Sequence, residues 1–223
     1  MRPFTDLHLR PTVSEQANDM LLLAKEMGYK HAAFVGNPPN KQIPEFTFAT
    51  RVDVEARKQR ELIDVVGKIR KWYDIIAVKC LTKEAARQAA KDDRIDIILF
   101  PEDPTQRKTV WLDIHQAELT SGTGCAYEVN LNELLDIGAL RLSRLITQIK
   151  KEIGNAQKHD IPVIFSSGAS SSILMREPKA LAALASLFDI DEDYALNMIS
   201  KTPAEMLIKN LKKRERQRNQ NAG

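Results

Sequence analysis

The chain is short of the residues on which several common chemistries depend. Of its 223 residues only 2 are cysteine, Cys80 and Cys125, each inside a stretch that reads as a buried strand. Used this way they are small core hydrophobes, which points to a reducing compartment and away from a disulfide framework. Histidines number 4, so a catalytic zinc or manganese site has few candidate nitrogen ligands. Aromatic residues make up 6%, and neither a platform for stacking single-stranded bases nor an RNA-recognition, K-homology or zinc-finger motif is visible. Trp72 and Tyr73 end a helix-like segment, where packing is their expected role. The absence of a Gly-x-Gly-x-x-Gly or Walker-type loop counts against a nucleotide-binding sheet. No apolar run is long enough to span a bilayer, and Met1-Arg2-Pro3 opens into a strand rather than a signal peptide. A cytoplasmic protein with no membrane association is expected.

What is present reads as an alternation. Strand-like runs occur at Phe4–His8, His31–Val35, Phe46–Val52, Asp74–Leu81, Ile95–Phe100, Cys125–Leu131 and Pro162–Ser166. Most are continuous runs of Val, Ile, Phe and Ala, as in strands covered on both faces. Helical patterns follow at Thr12–Gly28, opened by the capping box Thr12-Val-Ser-Glu15, and at Val54–Trp72, Lys83–Asp92 and Asn132–Asn155. Three further helices start near Pro178, Asp191 and Thr202. Repeated strand–helix alternation argues for an α/β fold with a parallel sheet, and the length suits a distorted TIM-like barrel of about seven strands. A doubly wound open sheet is the second choice. Gly36-Asn37-Pro38-Pro39-Asn40 leaves no room for a helix between the second and third strands.

The net charge of +3 is unevenly placed. Residues 209–218 carry +5, which leaves −2 for the rest. The expected organisation is one barrel domain over residues 1–208 and a basic, disordered tail over 209–223; a solvated helix end is the plainer reading of the same residues.

In a parallel barrel, chemistry gathers at the C-terminal ends of the strands. Asp6-x-His8 puts two metal-capable side chains on one side of an extended strand. His115 is the remaining plausible nitrogen ligand, and Glu102 and Asp103 follow the fifth strand. The alternative is that Asp6 and His8 bond each other and neighbouring strand ends. Basic residues at strand tips make a fuller set: Arg51, Lys79, Arg107, Lys108 and Arg176, with Ser166 and Ser167 in the small-residue turn Ser166–Ser170. Cations around such a turn suit phosphate binding. The competing possibility is that Arg51 or Lys79 pairs with Asp6, Asp53 or Glu128 inside the barrel mouth.

Five of the strand-tip motifs, Phe4-Thr-Asp-Leu-His8, Phe48-Ala-Thr-Arg-Val52, Asp96-Ile-Ile-Leu-Phe-Pro101, Ala126-Tyr-Glu-Val-Asn-Leu131 and Val163-Ile-Phe-Ser-Ser-Gly-Ala169, resemble in order and spacing the barrel-shaped protein subunit of archaeal ribonuclease P, the component 3 family. The resemblance implies a barrel related to the polymerase-and-histidinol-phosphatase superfamily. It implies work as a subunit of an endoribonuclease, assisting a ribonuclease P RNA that removes 5′ leaders from precursor tRNA. It also implies a smaller α/β protein partner, catalysis by the RNA with magnesium, and no cofactor on this chain. The superfamily's enzymes usually show His-x-His on the first strand, where this chain has Asp6-x-His8. That departure leaves a stand-alone metal phosphoesterase, using Asp6, His8, His115 and Glu102, as the rival reading.

Overall fold

A computed structural model describes residues 2–135 and 137–221. Seven strands pair in parallel and in chain order: β1 (Thr5–Leu9), β2 (His31–Val35), β3 (Thr47–Ala56), β4 (Ile75–Cys80), β5 (Ile97–Leu99), β6 (Ala126–Asn130) and β7 (Val163–Ser166). The sheet curls into a nearly closed TIM-like barrel. Its two edge strands meet through isolated hydrogen bonds, from the Ser167 N–H to Asp6 Oδ1, from the Arg10 N–H to the Ala169 carbonyl and from the Arg10 guanidinium to the Gly168 carbonyl.

Helices cover the outside: α1 (Ser14–Glu26), α2 (Gln59–Ile69), α3 (Lys83–Lys91), α4 (Pro104–Arg107), α5 (Ile114–Thr120), α6 (Leu131–Leu135), α7 (Ala139–Lys158), α8 (Pro178–Ala185), α9 (Glu192–Met198) and α10 (Lys201–Asn221). Asp191 caps α9 by accepting from the Tyr194 N–H at 2.8 Å, as a side-chain cap should. The connection from β2 to β3 has no helix. Apolar residues facing outward from the strands, such as Val78, Ile98, Tyr127 and Phe165, meet the helical layer. A separate interior cluster of Leu7, Ala33, Ala49, Ile75, Ala77, Ile97, Ala126 and Ile164 fills the lower barrel.

Four expectations need revision. β3 runs on to Ala56, because Val52, Asp53 and Val54 pair with Ile76, Ala77 and Val78; α2 therefore starts at Gln59 rather than Val54. The helix expected over Asn132–Asn155 is two helices, α6 and α7, with Gly138 at the start of the second. The capping box is not formed. Thr12 donates instead to Gln16 Oε1, from its N–H at 2.7 Å and its hydroxyl at 3.1 Å, and α1 starts at Ser14. Lastly, residues 209–221, expected as a basic tail or a solvated helix end, are helical and continue α10. One side of that helix supplies Leu207 to the barrel interior, with Met206 and Leu211 beside it. Arg214 fastens it, donating to Asp74 Oδ1 at 2.6 Å and Thr50 Oγ1 at 3.1 Å. Asp74 immediately precedes β4, so α10 closes the N-terminal end of the barrel. Ala222 and Gly223 lie outside the described residues.

Candidate functional site

Inward-facing residues of β3 alternate, so Ala49, Arg51 and Asp53 share the barrel interior. Arg51 is fully buried there. Its guanidinium forks onto Glu128 of β6, at 2.8 Å to Oε1 and 2.6 Å to Oε2, and its Nε donates to Asp53 Oδ1 at 2.7 Å. The Leu7 carbonyl takes a further bond at 2.7 Å. A buried charge of this kind is tolerated only when every donor is met, and here the fork-to-fork geometry meets that demand. The Asp53 carboxyl, despite burial that pushes the other way, is held well below the usual carboxylate range by Arg51 and His8.

His8 joins this network by a local irregularity. The pairing of β1 with β2 slips by one residue between Asp6 and Leu9, the signature of a β-bulge. Leu7 and His8 both reach the interior in consequence, while Leu9 turns outward against α1. His8 Nδ1 lies 2.7 Å from Asn130 Oδ1, and Nε2 makes an ion-pair contact with Asp53 Oδ2 at 2.8 Å. Burial and Arg51 press the imidazole toward the neutral form, but Asp53 and Glu128 outweigh them and raise its pKa. Asp6 points elsewhere, into the seam between β1 and β7, where it accepts from the His8 N–H at 3.1 Å and the Ser167 N–H at 3.2 Å. Burial raises its pKa. The bulge thus breaks the simple same-face relation of Asp6 and His8, and the two are linked instead by one hydrogen bond.

The phosphate candidates separate into buried and accessible groups. Arg107, expected in an open loop, is buried between β6 and α7. It bonds Glu152 at 2.9 and 2.5 Å and the Tyr127 hydroxyl at 2.7 Å, and it takes the carbonyls of Phe100 and Pro101. Ser166 donates its hydroxyl toward Glu128 Oε1 and Asn130 Oδ1. The Ser167 hydroxyl accepts from the Ala169 N–H, and the Ser167 N–H is held by Asp6. Turn donors spent in this way do not cradle a phosphate. Gly168 takes φ +65°, with Asn130 at contact distance from where a side chain would stand. Arg51, Arg107, Ser166 and Ser167 are therefore framework residues. Lys108 is exposed and Arg176 half-buried, its Nη1 on the carbonyls of Ile173 and Met175. Lys79 is half-buried and pairs with Glu102 at 2.7 Å.

The metal set is not assembled. His115 lies on the outer helix α5, beside Glu118 at 3.4 Å, and Glu102 is engaged by Lys79. Asp103 caps α4 through the Thr105 N–H at 2.8 Å. No group of three or more His, Cys, Asp or Glu side chains among the described residues is placed to hold a metal ion. Where carboxylates do converge, at Asp53 and Glu128, the positive charge between them is the Arg51 guanidinium. These residues do not fit a catalytic divalent ion. The cavity bordered by Glu102, Glu128 and Asn130 is small, about 10 Å³.

Tyr127 and Asn130 belong to a strand-tip motif but carried no assigned role, and Glu152 was not marked by the sequence. Glu152 stands among the helical residues of α7, and only its position opposite Arg107 in space gives it meaning.

The fold and this mouth define a class: a TIM-like barrel whose strand ends carry an internal ion-pair network. The chain belongs to the family described as RNase P subunit p30, whose model matches residues 3–215. A ribonuclease P protein component 3 of Methanococcoides burtonii is 26% identical over 216 residues, covering 93% of this chain and 88% of the relative. A chain of an archaeal ribonuclease P solved by cryo-EM with mature tRNA superposes with a TM-score of 0.74 at 22% identity, over 94% of this chain and 91% of that one. A histidinol phosphate phosphatase of Lactococcus lactis, solved with zinc, L-histidinol and phosphate, shares the barrel at a TM-score of 0.50 and 10% identity, over 84% of this chain and 93% of that one.

Proposed function

We propose that this chain is a non-catalytic protein subunit of ribonuclease P, supporting an RNA that removes 5′ leaders from precursor tRNA. The observation that carries the reading is the family match over nearly the whole chain. The sealed barrel mouth agrees with it, since the strand ends are committed to internal pairing. Magnesium is assigned to the RNA-containing holoenzyme, and none to this chain. A smaller α/β protein is the expected protein partner. No helix among the described residues is long and apolar enough to cross a membrane, and the working compartment is taken to be the cytoplasm.

Of the original phosphate candidates, Lys108, Arg176 and Lys79 keep that role, while Arg51, Arg107, Ser166 and Ser167 hold the scaffold. The test is reconstitution with the organism's ribonuclease P RNA at limiting magnesium. Leader removal should rise when the full-length protein is added with its partner; an unchanged rate sinks the proposal.

A further inference from the structure

Beyond Lys79, Lys108 and Arg176 near the mouth, a denser set of cations stands at the opposite end of the barrel. In α10, Lys209, Lys212, Lys213 and Arg216 recur at the spacing of one helix face and are exposed. They lie opposite the face that carries Leu207 and Arg214 into the barrel. The stripe covers about 10 Å of helix. Ile208 stands beside the stripe on the same exposed side of α10, and Glu205 is the acidic side chain next to it. Lys209 and Lys213 also border a neighbouring cleft of about 250 Å³ near Gly124, where Asp93 and Asp96 lie. Asp96 is already neutralised by Arg70 at 2.5 Å.

A second observation falls on the same end. Trp72 is 62% exposed, not packed as its position after α2 suggests. Lys71 Nζ stands 5.0 Å from the centre of its ring. The adjacent Tyr73 borders a small cavity together with Lys213 and Arg214, which puts Trp72 at the same end of the barrel as the basic stripe. Isolated surface apolar residues are ordinary. A solvent-facing indole beside a run of cations is the pairing by which proteins hold single-stranded nucleic acid: phosphates on the cations, a base on the ring.

We propose that the N-terminal end of the barrel, α10 with Trp72, is an RNA-binding surface that takes an unpaired stretch. The proposal rests on the ribonuclease P reading and adds a second RNA contact on the barrel floor.

The experiment uses the full-length protein and labelled ribonuclease P RNA from the same organism, titrated at several salt concentrations. Replacing Lys209, Lys212, Lys213 and Arg216 together by Ala should flatten the log–log salt dependence by about 3, as expected for about four lost phosphate contacts. Trp72→Ala should weaken binding roughly five- to a hundredfold, and Trp72→Phe should recover most of it. In a Trp111→Phe background the remaining indole should be quenched by RNA. Acetylation of Lys209 and Lys213 in the wild-type protein, read by mass spectrometry, should be suppressed in the complex, a measurement that needs no variant to fold. If the wild type binds the RNA but these changes leave affinity, slope and acetylation untouched, the surface assignment is wrong and the proposed function stands. If the wild type fails to bind, both fall. If the alanine variant loses only its protein partner, the surface belongs to that partner and the proposal is overturned.

Discussion

Arg51 is the residue on which the barrel mouth depends. Its counterions come from two other positions, Asp53 on the same strand and Glu128 on β6. Arg51→Met alone leaves a buried carboxylate without its partner, at a cost of about 3–5 kcal/mol. The double change Arg51→Met with Glu128→Leu should recover much of that loss, and urea denaturation of the three proteins measures it. Lost stability in the double variant equal to the sum of the separate losses would show that the pair is not coupled. The same network gives a pH dependence with two arms. Asp53 has a folded pKa below its unfolded value near 3.8, so its stabilisation is present above that value and is lost as the pH falls below it. His8 has a folded pKa above 6.5, so its contribution is complete below that pH and disappears as the pH rises through the folded value. Melting temperature against pH should therefore slope downward on the alkaline side, and His8→Gln should flatten that slope. An unaltered alkaline slope in the variant would remove His8 from the account.

At the scale of elements, α10 is a helix with two occupations, one side filling the barrel floor and the other basic and exposed. Leu207 is fully buried among interior residues. Leu207→Ala should cost about 2–5 kcal/mol. For a chain of this size that lowers Tm by on the order of 10 °C, measurable by calorimetry. Conversely, Lys212→Ala and Arg216→Ala should leave Tm nearly unchanged, since exposed charges contribute little. Strands were the most legible elements in the sequence, because fully buried runs such as Ile75–Val78 and Ile97–Leu99 fit no amphipathic pattern. The far end of β3 was not legible. Val54 runs straight into the helix formers Glu55-Ala-Arg-Lys58, which mask its strand preference until β4 is beside it. The start of α10 was legible at Thr202, but its outer turns were not: their polar composition resembles a solvated tail, and only the fit of Leu207 and Arg214 to the barrel floor places the helix.

At the scale of the molecule, the charge asymmetry of the sequence becomes a geometric one. The +5 of residues 209–218 belongs to a helix on one end of the barrel, against −2 for everything else. Such a distribution steers an anionic partner toward that end. The association rate with RNA in stopped-flow mixing should fall steeply as salt rises, with much less change in dissociation; a salt-independent association rate contradicts the steering. The family was readable from five ordered strand tips, yet the individual roles of those residues were not. A tip such as Arg51 or Ser166 carries the same letters whether it faces solvent or a carboxylate contributed by a strand far along the chain. Sequence order reports which strands meet, and three-dimensional pairing decides which of their polar groups remain for a partner.

The plug formed by α10 also sets an order of assembly. Every other residue of the interior cluster precedes Leu207 in the chain, with Ile164 the last of them. During synthesis all seven strands leave the ribosome before the segment that closes the barrel floor. Until that segment arrives, Ala33, Ala49, Ile75 and Ala126 face an open end, so the nascent barrel carries an unsealed apolar base. Completion of this fold is thus a post-strand event, and a helix translated after every strand is the one that closes the interior.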